Sequence, residues 1–167
     1  MKIAERMVLR ELNIVNFKNI AEATLAFTPG FNCFVGNNGV GKTNVLDAIY
    51  HLSMCKSYFN LPDLQNIRHE EPFFVVQGQY LREEEELTVY CGVKRGQKKV
   101  FKKNQKAYDK LSEHIGLLPL VMISPKIRPA PPRSRLTFQG LLSKGAPLFH
   151  SFFGSAAVAL AHRRFHS

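Results

Sequence analysis

The stretch Gly36-Asn37-Asn38-Gly39-Val40-Gly41-Lys42-Thr43 decides how this chain is read. It fits the pattern of Gly, four free positions, then Gly-Lys-Thr, which is a phosphate-binding loop. Phe31-Asn32-Cys33-Phe34-Val35 leads into it and predicts a strand. On the far side Val45, Leu46, Ile49 and Leu52 recur at helical spacing, predicting an amphipathic helix over residues 43–54. In such a strand–loop–helix unit, backbone N–H groups of Gly36, Asn37, Asn38, Gly39, Val40 and Gly41 cradle phosphates at the positive end of the helix. Lys42 reaches the β- and γ-phosphate oxygens, and the Thr43 hydroxyl ligates Mg²⁺. The bland alternative, a Gly-rich turn that binds nothing, leaves both flanks unexplained. Binding of a nucleoside triphosphate is the implication.

Outward from the loop, residues 7–14, 21–27, 73–81, 86–93 and 98–103 read as strands, and Pro29-Gly30 as a turn. A turn at Arg95-Gly96 would set Tyr90 opposite Phe101 and Cys91 opposite Val100. Residues 108–115 suit a short helix. The run 117–124 (LLPLVMIS) is apolar enough for a buried strand. The 167 residues match one domain with a core of useful size.

Three widely spaced cysteines, Cys33, Cys55 and Cys91, argue for a reduced intracellular protein over a disulfide framework or a zinc site. Residues 1–10 hold no apolar signal core, and residues 146–161 are too short and too broken to span a membrane. The net charge of +10 is unevenly placed. All 13 acids precede residue 126, while residues 126–167 carry 7 Lys and Arg and no acid. The composition thus divides the chain into 1–125 and a basic tail, 126–167, expected to be poorly ordered.

Two charge runs have competing readings. The carboxylates at 83–86 are adjacent, so their side chains diverge, and a solvated hairpin tip is the better reading than a metal cluster. Between residues 94 and 110 stand eight basic residues against Asp109. They form either a nucleic-acid phosphate surface or an ordinary solvated lysine face.

Taken in order, Leu12-Asn13-Ile14-Val15-Asn16-Phe17-Lys18-Asn19, the strand at 31–35, the phosphate loop and Asn44-Val45-Leu46-Asp47-Ala48-Ile49-Tyr50 resemble RecF, the bacterial DNA replication and repair ATPase related to SMC-type heads. Cys55-Lys56-Ser57-Tyr58 resembles that family's short Lys/Arg-Ser element. Residues 117–125 resemble the segment that closes its N-terminal region. The resemblance covers residues 7–125. It implies an α/β P-loop NTPase of the ABC-type ATPase head, here an incomplete first lobe of mixed and antiparallel strands. It also implies ATP and Mg²⁺ as ligands, a cytoplasmic location and binding to single-stranded or gapped DNA. Other recombination-mediator proteins as partners and ATP-dependent homodimerisation are further implications. By position, Lys18 would approach the nucleotide; the plain alternative is a buried Phe17 followed by a surface Lys18.

The departures from the family pattern are equally specific. ATP hydrolysis needs a Walker B carboxylate pair closing an apolar strand and a signature loop for the partner's γ-phosphate. No run of four apolar residues here ends in Asp or Glu, and LPLVMIS ends in Ser124-Pro125-Lys126. The tail reads as unrelated sequence from an out-of-frame or truncated gene, its rival being a natural basic nucleic-acid arm. A basic nucleic-acid-binding module with a vestigial phosphate loop is the alternative function. A small P-loop kinase or GTPase is disfavoured, because no NKxD-type base-reading motif is present.

Overall fold

The computed structural model describes residues 7–82 and 84–122. The tail 126–167 and the end of the 117–124 run lie outside the described residues. Six strands form one sheet: β1 (Met7–Phe17), β2 (Ile20–Ala26), β3 (Phe73–Arg82), β4 (Glu85–Lys94), β5 (Val100–Lys103) and β6 (Lys106–Ala107). Their order is β2-β1-β3-β4-β5-β6. Every pair is antiparallel, so the parallel component expected of a mixed sheet is absent among the described residues.

β1 is longer than its alternation predicts, for a visible reason. Met7 and Leu9 are buried, then a bulge between Leu9 and Glu11 shifts the phase, and Leu12 and Ile14 take over the core face. At Asn16 the backbone turns left-handed (φ 53°), and Phe17 returns to the core fully buried. One strand thus fills a single face from positions of both parities.

The helix α1 (Lys42–Met54) lies across this face, packed on β1, β3 and β4. Ala48, Ile49 and Leu52 meet Leu12, Ile14, Phe74, Val76 and Val89 in one core cluster. Gly78 of β3 makes the approach possible, because a Cβ there would stand 2.9 Å from the Leu52 side chain. The helix ends at Cys55 in a left-handed conformation (φ 55°), and Lys99 Nζ donates to the Cys55 carbonyl at 2.7 Å. A cation at the carboxyl end of a helix is favourable on both hydrogen-bonding and dipole grounds.

Other expectations also need correction. Residues 31–35 are not a strand: Phe31 and Val35 are each 89 % exposed, and no described strand pairs with them. An extended segment becomes a strand only when a neighbour takes up its backbone hydrogen bonds. Residues 117–122 also form no strand; Leu118 is buried, but Val121 is 71 % exposed. The β4–β5 register differs by one residue. Cys91 faces Phe101 and Gly92 faces Val100, because the turn takes in Gln97, whose N–H bonds the Lys94 carbonyl at 3.1 Å. That single residue puts Phe101 inside and Val100 outside.

The helix expected at 108–115 is a short 3₁₀ turn, Leu111–Glu113. It leads into His114, fully buried against α1. The hairpin tip falls at the carboxylate run, with Glu84 in the turn and Glu85 and Glu86 opening β4, all three exposed.

Candidate nucleotide site

The phosphate loop is held from three sides by its own neighbours. Lys42 Nζ donates to the carbonyls of Gly36 (2.7 Å) and Asn37 (2.6 Å), so the loop's start folds around the ammonium. Asn19, in the β1–β2 turn, donates from Nδ2 to the Gly39 carbonyl at 2.7 Å. Asn44 on the first turn of α1 donates to the Asn19 Oδ1 at 2.7 Å, closing the brace. Three loop carbonyls are therefore tied to N–H donors, which reduces their repulsion of an incoming anion. Gly39 and Gly41 have φ of +86° and +107°, a backbone that L side chains rarely adopt. At Gly41 a Cβ would also stand 3.0 Å from the Asn19 Oδ1.

The first turn of α1 carries no acidic side chain, so the positive end of the helix is not neutralised. Thr43 is exposed there, open to a bound cation. Asn38 and Val40 are exposed on the loop, Val40 by 59 %. These residues fit a triphosphate and its metal: glycine backbone, an ammonium, a hydroxyl and an unopposed helix dipole stand within one turn of each other.

Lys18 is placed differently from its expected role. Its backbone is left-handed (φ 55°), and its side chain, only 12 % exposed, pairs with the fully buried carboxylate of Asp47. The ammonium also lies 4.6 Å from the centre of the Phe59 ring. Asp47 further accepts from the Ser57 hydroxyl (2.8 Å) and the Tyr58 N–H (2.6 Å). The element 55–58 is thus anchored from below by α1. Sequence reasoning assigns no individual role to Asn19, Asp47 or Ser57. A signal existed for Asp47, an acid set inside the apolar run Val45-Leu46-Asp47-Ala48-Ile49.

A second polar cluster fixes the loop after α1. Asp63 accepts from Lys99 (2.8 Å) and lies 3.3 Å from His51 Nε2. Burial alone would raise the Asp63 carboxyl, but the hydrogen bonds and charges of His51 and Lys99 outweigh it and hold the pKa below the usual carboxylate value. Burial pushes the Cys55 thiol up to about 11 and raises Cys91 further, so neither is a reactive thiolate. No cluster of three metal-ligating side chains occurs among the described residues.

Of the eight cations between 94 and 110, the structure separates two from the rest. Lys99 is committed to Asp63 and the Cys55 carbonyl, and Lys102 lies 5.5 Å from the Tyr90 ring centre. Lys94, Arg95, Lys98, Lys103, Lys106 and Lys110 are exposed. An open groove lined by Lys18, Asn19, Ile67, Arg68, His69 and Arg95 runs beside the brace of the phosphate loop. No described helix is long and apolar enough to cross a membrane.

Sheet, helix and braced loop together define a phosphate-loop ATPase domain. The profile of the AAA ATPase domain family matches residues 7–117, well over half of the chain, and the chain belongs to that family. It is 58 % identical over 120 residues to the DNA replication and repair protein RecF of Phocaeicola vulgatus, covering 71 % of this chain and 32 % of that protein. It also resembles a solved structure of the recombination mediator protein RecF with ATP, in the RecFOR pathway. There the TM-score is 0.69 at 32 % identity, over 72 % of this chain and 34 % of the other. A structure from work on ATP-driven dimerization of SMC ATPases shares the fold alone, at 21 % identity and TM-score 0.59, over 86 % of this chain and 95 % of that one. The RecF resemblance carried by residues 12–50 is therefore borne out, and the chain spans about a third of the length of the RecF relatives it matches.

Proposed function

We propose that this chain is the nucleotide-gripping first lobe of a RecF-like DNA replication and repair protein, binding ATP with Mg²⁺ at residues 36–43. The observation that carries the reading is the wiring of the loop: Lys42 to the Gly36 and Asn37 carbonyls, and Asn19 to that of Gly39. A vestigial loop has no reason to keep three such bonds around two left-handed glycines. ATP supplies the phosphates that Lys42 and the helix terminus attract, and Thr43 holds the Mg²⁺. The groove beside Asn19 is the natural place for the nucleoside end. Lys18, currently on Asp47, borders that groove.

With no Walker B carboxylate pair in the 167 residues, this chain binds ATP without turning it over unaided. Titration calorimetry with Mg·ATP and with a non-hydrolysable analogue tests both parts. Equal affinities and no phosphate release support the reading; absence of binding overturns it.

The DNA partner is single-stranded or gapped DNA, met by the six exposed cations between residues 94 and 110. Removing one phosphate-binding cation should reduce the slope of log affinity against log salt by about one unit. Replacing Lys98, Lys103 and Lys106 by Gln is expected to weaken binding and flatten that slope, read by fluorescence anisotropy. An unchanged slope would leave the run as an ordinary solvated face. ATP-dependent self-association and contact with other recombination mediators follow from the same relationship.

A further inference from the structure

The geometry points to Asp47 as a positioning residue for the nucleotide: through Lys18 it holds the β1–β2 turn that braces the phosphate loop, without touching the ligand itself. This rests on reading residues 36–43 as the ATP site.

Asp47 stands one helical turn after Thr43, fully buried, and its carboxylate takes three donors. They come from different parts of the chain: Lys18 Nζ from the β1–β2 turn, and the Ser57 hydroxyl and Tyr58 N–H from the loop after α1. Removing a carboxylate from water is costly, and only a full set of donors offsets it. Asp47 therefore constrains whatever it binds.

Lys18 is the residue through which that constraint reaches the phosphate loop. It adopts a left-handed backbone that a non-glycine residue holds only when its surroundings enforce it. Its N–H donates to the Asn66 carbonyl at 2.8 Å, and its side chain is clamped between Asp47 and the Phe59 ring. The next residue is Asn19, whose amide makes both bonds of the brace, to the Gly39 carbonyl and with Asn44. A turn fixed at Lys18 presents Asn19 in one orientation. A turn released from Asp47 leaves Asn19 free to rotate, and Gly39 loses its donor.

The test is a double-mutant cycle in the full chain, reading Mg·ATP affinity by calorimetry and folding by urea denaturation. Asp47→Asn keeps an oxygen for the Tyr58 N–H but removes the charge that holds Lys18. It is expected to weaken ATP roughly tenfold, as is Lys18→Met, while the double variant loses about as much as either alone. Additive losses, or a loss in K18M with none in D47N, would show Lys18 acting on nucleotide directly and overturn the proposal. So would an affinity loss explained by the unfolded fraction. If D47N does not fold, Ser57→Ala, which removes one Asp47 bond, takes its place with a smaller loss expected.

Amide hydrogen exchange without nucleotide separates this proposal from the ATP reading on which it rests. Should the wild-type chain bind no ATP, faster exchange at residues 36–43 in D47N, with β3 and β4 unchanged, still supports the linkage. Equal exchange in the two proteins overturns it.

Discussion

At the scale of single residues, the loop glycines, the buried His114 and the half-buried Asp63 carry the sharpest expectations. Gly41→Ala forces a left-handed residue (φ +107°) to carry a Cβ 3.0 Å from Asn19 Oδ1. Its expected cost is about 1–3 kcal/mol in urea denaturation, with weakened ATP binding because the brace must shift. Gly39→Ala meets no atom within 4 Å and should suffer the backbone strain alone. His114 predicts a pH dependence. Burial holds its pKa below 6.5, with Lys103 adding to the shift and the Leu52 carbonyl bond opposing it. Its Nε2–H donates to that carbonyl at 2.6 Å, and Nδ1 faces the Tyr108 hydroxyl at 3.1 Å. The unfolded state therefore takes up the proton first, so stability is full above pH 6.5 and falls as pH drops below it. Asp63 acts in the same sense at lower pH. Its depressed pKa gives stability that is present above 3.8 and lost as pH falls through the folded value. Urea midpoints should decline as pH falls below 6.5, and His114→Gln should remove part of that decline. An identical profile in the variant would contradict the assignment.

Among the elements, α1 against the sheet is the contact that everything else depends on. Phe17 and Phe74 are fully buried with ring centres 5.1 Å apart, and Phe17→Ala is expected to cost about 3–5 kcal/mol by cavity formation. Gly78→Ala is expected to destabilise by overpacking, because its Cβ would meet both Tyr80 at 2.6 Å and Leu52 at 2.9 Å. A urea midpoint equal to wild type for G78A would mean that the helix sits further from β3 than this packing requires. The same elements show what could be read from sequence. The phosphate loop, α1 and strands β1 to β4 announce themselves through spacing, since local periodicity directly reports which face is buried. The bulge near Arg10 and the left-handed Asn16 are invisible in that pattern, as each shifts the phase by one residue within a strand. The β4–β5 register is hidden for a related reason. A loop longer by Gln97 exchanges Val100 for Phe101 on the core face, and Arg95-Gly96 alone does not disclose its length. The Asp47 network joins residues 18, 47 and 57, and no periodicity reports on such a meeting.

At the scale of the whole molecule, large apolar side chains stand exposed among the described residues. Phe31 and Val35 are each 89 % exposed immediately before the phosphate loop, and Val121 is 71 % exposed beyond the last 3₁₀ turn. Residues 31–35 read as a strand in sequence because their side chains suit one; a hydrogen-bonding neighbour is what they lack among the described residues. Exposed apolar segments of this kind promote self-association. Size-exclusion at increasing concentration should show growing oligomers, and Phe31→Lys with Val35→Lys should reduce them; a clean wild-type monomer would oppose this. Binding of ATP by the braced loop is tested by thermal unfolding of the full chain with and without Mg·ATP. At roughly a hundredfold excess over Kd, mass action adds about 2.7 kcal/mol, raising Tm by on the order of 10 °C. The wild-type chain should show that rise and Lys42→Ala should lose it, whereas equal Tm shifts in the two proteins, or none in either, would mean that residues 36–43 do not grip ATP.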